Sequence, residues 1–305
     1  AGQLNLNYGG VNGYAATILE AGTLSQGAWN ATLGKSGSSI DVTGNSTIRI
    51  FNNNSTSQVP SLNNAITIRT GKTLTVAGGQ RCKMHGKLLG DGTLKISFPY
   101  VRGDFETNCS AFEGTLNVTS GQFRLRSALD LSKGIFMLGA GVYVAGYSSE
   151  KNEGSFTHKI GSLSSAATDC TLSTGTWNVG YLGEADTYAG VFNQNATLNK
   201  YGEGILTLTG ASAGGLNIYA GEVKAQNTSA PITTGVITVR EGGVLSGSGQ
   251  VQNVTVQKGG IIAAGKSTSA VGTLTVNGNL TLNAGAILRV RTSSTSVSTR
   301  ADAFK

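Results

Sequence analysis

Short segments with apolar residues at every second position recur along the whole chain, and they constrain the fold more than any other feature of the sequence. A half-buried β-strand places alternate side chains on one face, so this period predicts strands. Clear examples are Ile48-Arg49-Ile50, Leu116-Asn117-Val118-Thr119, Leu206-Thr207-Leu208-Thr209 and Leu274-Thr275-Val276-Asn277. Charged residues make up only 13% of the chain, which contains 45 glycines, and residues that favour helices are scarce. The sequence therefore predicts a nearly all-β protein.

Glycines separate these segments at a nearly constant spacing. The two most regular runs contain Gly121, Gly141, Gly204, Gly221, Gly242, Gly259 and Gly278. The resulting period of about 20 residues is typical of a solenoid, in which each coil is too small to bury its own apolar face and stacks on its neighbours. Glycine suits the corners of such coils because it adopts positive φ without steric cost.

Two β architectures agree with this pattern, an antiparallel sandwich and a parallel β-helix. The pairs Asn12-Gly13, Asp91-Gly92 and Asn277-Gly278 leave local hairpins open. The repeat period, sustained without a domain break, favours the β-helix. We predict one continuous β-helix over residues 1–305, with about 15 coils that rise about 4.8 Å each. Residues 148–169 are polar and include several charges, so we expect them to project as a loop.

The most regular segment lies in the second half, where residues 198–210 read LNKYGEGILTLTG. This stretch resembles the autotransporter-associated β-strand repeat of bacterial surface proteins, in which a lysine and a pair of glycines precede LTLTG. Residues 215–223, GLNIYAGEV, are similar to the second half of that repeat, and residues 244–249, VLSGSG, are similar to the coil that often follows it. Trp177-Asn178-Val179-Gly180 resembles the strand that precedes the repeat. The resemblance is clearest over residues 177–291.

This resemblance implies a single-stranded, right-handed parallel β-helix that is secreted from a Gram-negative bacterium or exposed on its outer surface. It also implies a passenger-type segment of a larger secreted protein, with neighbouring domains of the longer chain as partners. The resemblance implies no catalytic residue. We therefore expect a non-catalytic stalk, spacer or adhesin-like segment, with an extracellular polysaccharide or a host surface as its partner.

The basic residues are spread along the chain instead of forming a nucleic-acid site. Lys and Arg number 23 against 16 Asp and Glu, which gives a formal net charge of +7. A basic excess attracts anionic polymers, but only the run from Arg81 to Lys87 is dense, and no nucleic-acid-binding motif accompanies it. No segment has the roughly 20 apolar residues of a membrane helix. We predict neither a nucleic-acid partner nor membrane insertion by this segment.

The acidic residues and histidines form no recognisable catalytic or metal-binding pattern. Stacked coils can bring distant carboxylates together, as glycoside hydrolysis requires, and the residues to consider are Asp91, Asp104, Glu106 and Glu113. We interpret Asp104, Glu106 and Glu113 as surface charges that balance Arg102 and the basic run, and Gly90-Asp91-Gly92 as a turn. His85 and His158, the only histidines, lie far apart in the sequence and lack the spacing of metal ligands. We predict no catalytic residue, no metal site and no cofactor.

A second interpretation makes the chain a glycan-binding module or an accessory part of a polysaccharide-degrading, pectin-lyase-like enzyme. Aromatic rings stack on sugars, and Lys or Arg side chains bind acidic groups. Both kinds of residue occur close together in the sequence, and the predicted glycan contacts are Arg81, Lys83, Lys87, Tyr100 and Arg102. A third interpretation, an active lyase or hydrolase, predicts that such polymers are shortened.

The cysteines allow at most one disulfide within the chain. The chain has three cysteines, Cys82, Cys109 and Cys170, so at least one of them has no partner within the chain. No two of them have the CxxC spacing that is typical of a metal site. Cys82 and Cys109 are closest in sequence, about one coil apart, and they are the pair that we expect if a bridge forms.

Overall fold

The fold was obtained as a computed structural model, which describes residues 2–6, 13–28, 32–35, 37–51, 59–78, 82–97, 103–146, 154–265, 271–292, 301 and 303–304. All regular secondary structure in these residues is β-strand, as the sequence predicts. The described residues contain no helix that is long and apolar enough to cross a membrane. The chain forms two compact units, Ala1–Ile160 and Gly161–Lys305.

The first unit contains sixteen complete strands in the described residues, and most are short. They are β1 (Gln3–Leu6), β2 (Ala16–Leu19), β3 (Gly22–Gln26), β4 (Ser39–Val42), β5 (Ser46–Ile50), β6 (Ser61–Leu62), β7 (Ala65–Ile68), β8 (Thr73–Gly78), β9 (Lys83–Met84), β10 (Leu88–Gly90), β11 (Thr93–Ser97), β12 (Gly103–Phe105), β13 (Thr115–Ser120), β14 (Gln122–Leu125), β15 (Asp130–Leu138) and β16 (Tyr143–Gly146). The next strand, β17 (Thr157–Ser164), includes the last residues of the first unit and the first residues of the second.

These strands stack into three parallel ladders. The first ladder contains β1, β3, β5, β8, β11, β13 and β15; the second contains β2, β4, β7 and β10; the third contains β6, β9, β12, β14 and β16. Each strand pairs with its equivalent one coil away. Asp91-Gly92, a candidate hairpin, lies between β10 and β11, which belong to different ladders. The first unit is therefore a parallel β-solenoid, and the sandwich interpretation is wrong for it.

The core of the first unit is built from aligned columns of apolar side chains. One column runs through the first ladder and consists of Leu24, Ile48, Val76, Ile96, Val118 and Leu138, all of them buried. Phe105, Phe123 and Phe136 add an internal aromatic cluster, with ring centroids 5.0 and 6.1 Å apart. Full burial of each such side chain stabilises the fold by about 1.5–3 kcal/mol. The period-two alternation thus places one residue inside for each residue outside.

The second unit repeats this arrangement. Its strands are β18 (Thr171–Val179), β19 (Asp186–Tyr188), β20 (Val191–Lys200), β21 (Ile205–Leu208), β22 (Gly215–Ile218), β23 (Gly221–Ala225), β24 (Ile237–Val239), β25 (Gly243–Gly247), β26 (Gln250–Val251), β27 (Val254–Val256), β28 (Ile261–Ala263), β29 (Thr273–Val276), β30 (Leu280–Leu282), β31 (Ile287–Arg289) and β32 (Ala303–Phe304). The parallel ladders are β18-β20-β22-β24-β27-β30, β19-β21-β23-β25-β28-β31 and β26-β29-β32.

The described residues form about 11 turns of β-solenoid, so the predicted count of about 15 coils is wrong. The prediction assumed a uniform period, whereas the coils differ in length. Register pairs Ser46 with Leu74 and Val254 with Leu280, and both steps along the chain are clearly longer than the assumed period. Longer corners between the strands account for the smaller number of turns.

Glycine fulfils two different requirements at the predicted corners. Five of the seven have φ between 64° and 83°, the left-handed region that glycine adopts most readily, and they are Gly121, Gly141, Gly221, Gly242 and Gly259. Gly204 and Gly278 do not have positive φ. A Cβ at Gly204 would lie 2.0 Å from the carbonyl oxygen of Glu184, and a Cβ at Gly278 would lie 2.4 Å from Asn253 Oδ1. At these two positions glycine is needed because neighbouring coils approach closely.

The segment predicted to project as a loop, residues 148–169, is described only in part. Residues 148–153 lie outside the described residues. Thr157–Ser164 forms β17, in which His158, Ile160 and Leu163 are buried. This part of the segment therefore belongs to the β-structure.

All three cysteines are free thiols buried in the core, and the suggested Cys82–Cys109 bridge is not formed. The Cys82 thiol donates to the carbonyl oxygen of Lys83 at 3.4 Å, and the Cys109 thiol donates to that of Thr107 at 3.5 Å. Burial raises the pKa of both thiols to about 12. They therefore remain protonated, as small core residues do.

Candidate functional site

Two of the five predicted glycan contacts lie within the described residues. Lys83 begins β9, where it is half-buried and aligned with Asp104 of the next coil. Lys87 is exposed and forms a parallel bridge with Asn108. The other three predicted contacts, Arg81, Tyr100 and Arg102, lie outside the described residues. Their predicted role in glycan binding stays a prediction.

A ladder of alternating charge crosses β9, β12 and β14 beside Lys83. Register aligns Lys83, Asp104 and Arg124. Arg124 donates two hydrogen bonds to Asp104 Oδ1, the one from Nε at 2.9 Å. Arg126 Nε lies 3.8 Å from Asp104 Oδ2 and 3.6 Å from Glu106 Oε1. The two carboxylates offset much of the positive charge around Lys83, which weakens its expected attraction for an acidic polymer.

The other carboxylates considered for catalysis also have partners on an adjacent coil. Asp91 accepts a hydrogen bond from Thr70 Oγ1 at 2.8 Å. Glu113 lies 3.7 Å from Lys133 Nζ in an exposed ion pair. Asp91 and Glu113 are exposed, as expected of surface charges, whereas Asp104 is buried, so the surface-charge interpretation is wrong for Asp104. The cation that balances Glu113, Lys133, belongs to a later coil and was not identified from the sequence.

Stacked tyrosines form a ladder on the outside of the second unit. Tyr181 and Tyr201 are 5.5 Å apart between ring centroids with an interplanar angle of 7°, and Tyr201 and Tyr219 are 4.7 Å apart with an angle of 5°. The Arg240 guanidinium lies 4.8 Å from the Tyr219 ring centroid. Sugars stack on ring faces, and here neighbouring side chains cover the faces between coils. The ladder therefore joins successive coils and is a poor sugar platform.

The lysine of the repeat-like stretch is a buried structural residue. Register places Lys200 at a core position between Val179 and Ile218. Its ammonium donates to the carbonyl oxygens of Tyr201 at 2.6 Å and Gly202 at 2.7 Å. Burial lowers the pKa of Lys200 to about 8. The methylenes of the side chain thus pack in the core, and its ammonium stabilises the turn that follows β20 by hydrogen bonding.

A polar cleft of about 250 Å³ opens on the second unit, along the ladder of β21, β23, β25, β28 and β31. Small residues line its centre, namely Ser246, Ala263 and Gly265. The preceding coil carries Glu222 and Lys224 on β23, with Lys224 in register with Ser246. The cleft forms because short side chains lie between coils that carry long ones.

The Glu222 side of the cleft is organised by hydrogen bonding and charge. The Ser246 hydroxyl donates to Glu222 Oε1. Lys224 Nζ lies 3.9 Å from the same oxygen. Both ionisable side chains are largely shielded from solvent, with exposed fractions of 28% for Glu222 and 16% for Lys224. Their positions are therefore set before any ligand arrives.

The opposite side of the cleft carries two arginines from the following coil. Arg289 ends β31 and is in register with Ala263. Its side chain is exposed, and within the described part of the chain it has no hydrogen-bond or ion-pair partner. Arg291 donates a hydrogen bond to the carbonyl oxygen of Ala264. This contact holds the second guanidinium at the edge of the cleft.

The composition of the cleft suits binding more than catalysis. Its ionisable residues are three cations and one carboxylate, Glu222, so its net charge attracts an anion. Hydrolysis of a glycosidic bond requires a pair of carboxylic groups flanking the bond. Within the residues described, no group of three or more His, Cys, Asp or Glu is placed to hold a metal ion.

The sequence contains one local signal for this cleft. The alternation in Leu288-Arg289-Val290-Arg291 predicts a strand with both arginines on one face. The other polar residues of the cleft, Glu222 and Ser246, lie on earlier coils, and the register alone brings them to the same cleft. Unequal coil lengths prevent that register from being read along the sequence.

One histidine makes the stability of the first unit sensitive to pH. His158 is fully buried, and its Nδ1 accepts a hydrogen bond from the Leu129 amide at 3.0 Å. Burial lowers its pKa to about 4, against about 6.5 when unfolded. The unfolded chain therefore binds the proton first, and stability is lost as the pH falls from 6.5 towards 4.

We expect the free energy of unfolding to fall by about 2 kcal/mol because of this histidine when the pH is lowered from 7 to 5. Urea denaturation of the wild type and of His158→Gln at both pH values measures the effect, because glutamine has no titrating group. All other titrating groups are the same in both proteins, so the difference between the two losses of stability reports on His158. Equal losses of stability in the two proteins would show that His158 is not responsible.

Comparison with known proteins does not identify a family. No protein-family model matches the chain, and no curated protein matches its sequence. The resemblance to the autotransporter-associated repeat therefore rests on the residues quoted above and stays a prediction. A β-solenoid is compatible both with adhesins and with pectin-lyase-like proteins. Any functional proposal consequently depends on the surfaces of the two units.

Proposed function

We propose that this chain is a non-catalytic, extracellular segment of a Gram-negative surface protein that serves as a stalk, spacer or adhesin-like region. One observation carries the proposal: in each unit the same inward columns and outward positions recur from coil to coil. Repetition of this kind lengthens a surface by adding similar coils, because each coil is stabilised by contacts with its two neighbours alone. The location follows from the family resemblance.

The energetics of stacked coils favour a spacer. Backbone hydrogen bonds between parallel strands join each coil to the next, and the buried columns continue across those joints. Outward positions are often small and polar, as at Thr207 and Thr238, and Asn178, Asn199 and Asn217 form a side-chain ladder with hydrogen bonds of 2.9 Å. A surface of this kind offers a protease few exposed, unpaired segments.

Glycan binding remains a second candidate function, but the cleft on the second unit supports it better than the predicted surface around Lys83 does. The predicted contact Lys83 lies beside Asp104, and Arg124 and Arg126 are engaged with carboxylates. The cleft on the second unit has a net positive charge and an open volume instead. An accessory role beside a polysaccharide-degrading domain is compatible with that cleft.

Antibody labelling of intact producing cells tests the proposed location. Antibodies raised against the folded chain should label intact cells as strongly as permeabilised cells, because the segment is proposed to lie outside the outer membrane. An outer-membrane lipoprotein facing the periplasm serves as a control for cell integrity. Labelling that appears only after permeabilisation would contradict the proposal.

A further inference from the structure

We propose that the cleft on the second unit binds a sugar residue that carries a carboxylate, such as a hexuronate, either free or within an acidic polysaccharide. This inference concerns the cleft alone. It stands whether or not the chain serves as a spacer, so the two proposals fail independently.

Cationic side chains lie at two edges of the cleft. Lys224 lies on one side, and Arg289 and Arg291 lie on the other. Guanidinium groups bind carboxylates through two parallel hydrogen bonds. Arg289 has no partner within the described residues, so its donors are available. A carboxylate of a ligand can therefore bind at the edge of the cleft formed by Arg289 and Arg291.

The Glu222 carboxylate is a hydrogen-bond acceptor inside the cleft. Glu222 accepts from Ser246 and lies 3.9 Å from Lys224. A simple inorganic anion gains nothing from this carboxylate and is repelled by it. A sugar hydroxyl donates a hydrogen bond to it, and such a bond to a charged acceptor is stronger than a neutral one. The combination selects a ligand with both an acidic group and hydroxyl donors.

The volume of the cleft and the apolar part of its lining suit a sugar ring. Ile205, Val244 and Ala263 supply aliphatic contacts next to the polar groups, as the C–H bonds of a sugar ring require. The volume of about 250 Å³ is slightly below the range of roughly 300–1,000 Å³ for pockets that hold drug-sized ligands. One sugar ring is therefore the expected occupant, with further residues of a polymer outside.

A titration with two matched monosaccharides tests this inference. Galacturonate and galactose differ only in the carboxylate that replaces the hydroxymethyl group. We expect saturable binding of galacturonate in the millimolar range, as is typical of a single small ligand, and binding of galactose at least about ten-fold weaker. Calorimetry or shifts of backbone amide resonances in β25 and β28 measure both.

Charge-matched variants separate the cleft from the general positive charge of the chain. Arg289→Gln should weaken galacturonate binding about ten-fold or more, because the carboxylate of the ligand loses its guanidinium partner. Lys258→Gln removes the same charge from an exposed residue outside the cleft lining and should change the affinity less than two-fold. Thermal melting of each variant shows that the fold is retained, since both side chains are exposed.

A third variant tests the role of the acceptor. Glu222→Gln should raise the affinity for acetate, which is repelled by the carboxylate, and should lower the ratio of galacturonate to acetate affinity. Absence of saturable galacturonate binding, equal binding of galactose, or equal losses in Arg289→Gln and Lys258→Gln would each overturn the inference.

Discussion

Replacing Gly202 with alanine is expected to lower the free energy of unfolding by about 3 kcal/mol or more. Gly202 has φ +67°, a region that costs an L-residue about 1–2 kcal/mol. The added Cβ would also lie 2.0 Å from the carbonyl oxygen of Gly180 on the adjacent coil. Because the clashing atom belongs to the backbone, no rotamer change relieves the contact, and the two coils must separate. Urea denaturation followed by far-ultraviolet circular dichroism measures the loss.

Gly183 provides a matched control for this substitution. Its φ is +71°, close to that of Gly202, but a Cβ there meets nothing within 4 Å. Gly183→Ala should therefore cost only the conformational strain of about 1–2 kcal/mol. The difference between the two variants isolates the close approach of neighbouring coils. If both variants lose the same amount, the coils do not approach one another as described.

Lys200→Ala is expected to destabilise the chain by about 3 kcal/mol. The substitution removes three buried methylenes, worth about 0.8 kcal/mol each. It also leaves the carbonyl oxygens of Tyr201, Gly202 and Ala220 without the ammonium that donates to them, which adds about 1 kcal/mol. Chemical denaturation at pH 7 provides the measurement.

Lys200→Met separates these two contributions. Methionine keeps an apolar side chain of similar length in the core, and both substitutions remove the buried charge, so the two variants differ in packing alone. We expect it to be about 2 kcal/mol more stable than the alanine variant. An alanine variant as stable as the methionine variant would show that packing by the Lys200 stem contributes little.

Much of the local structure was predictable because the signals for it are local. Ile48-Arg49-Ile50 and Leu206-Thr207-Leu208-Thr209 were predicted as strands from alternation alone, and they lie in or overlap β5 and β21. Glycine at a regular spacing correctly predicted corners such as Gly221 and Gly242. A period-two pattern and a turn residue each act over a few neighbouring residues, so one sequence is enough to read them.

Lys200 shows a feature that this local reasoning cannot reach. A lysine next to alternating apolar residues is expected to point outward, because its charge is costly to bury. Here the side chain occupies a core column, and the carbonyl groups of the following turn hold its ammonium. The compensation comes from a turn whose shape is set by stacking on adjacent coils. A reading of the sequence at one coil therefore cannot find it.

The cleft was not predictable for a related reason. It combines Glu222, Ser246 and Arg289, which occupy three different coils and become neighbours only through the register of the ladder. Coil lengths vary from the short step between Ile237 and Val254 to the long step between Thr273 and Ala303. A uniform period misplaces residues by several positions across such steps, and a shift of one position turns a side chain to the other face.

Native electrophoresis through gels containing polygalacturonate, combined with sizing of the polymer afterwards, tests the central claim that the chain offers a surface without catalysis. We predict retardation of the wild-type chain, weaker retardation of Arg289→Gln, and a polymer of unchanged length. Free migration past an intact polymer would overturn binding at the cleft and leave the spacer proposal standing. Shortening of the polymer by the chain, absent from a heat-denatured sample, would contradict the central claim.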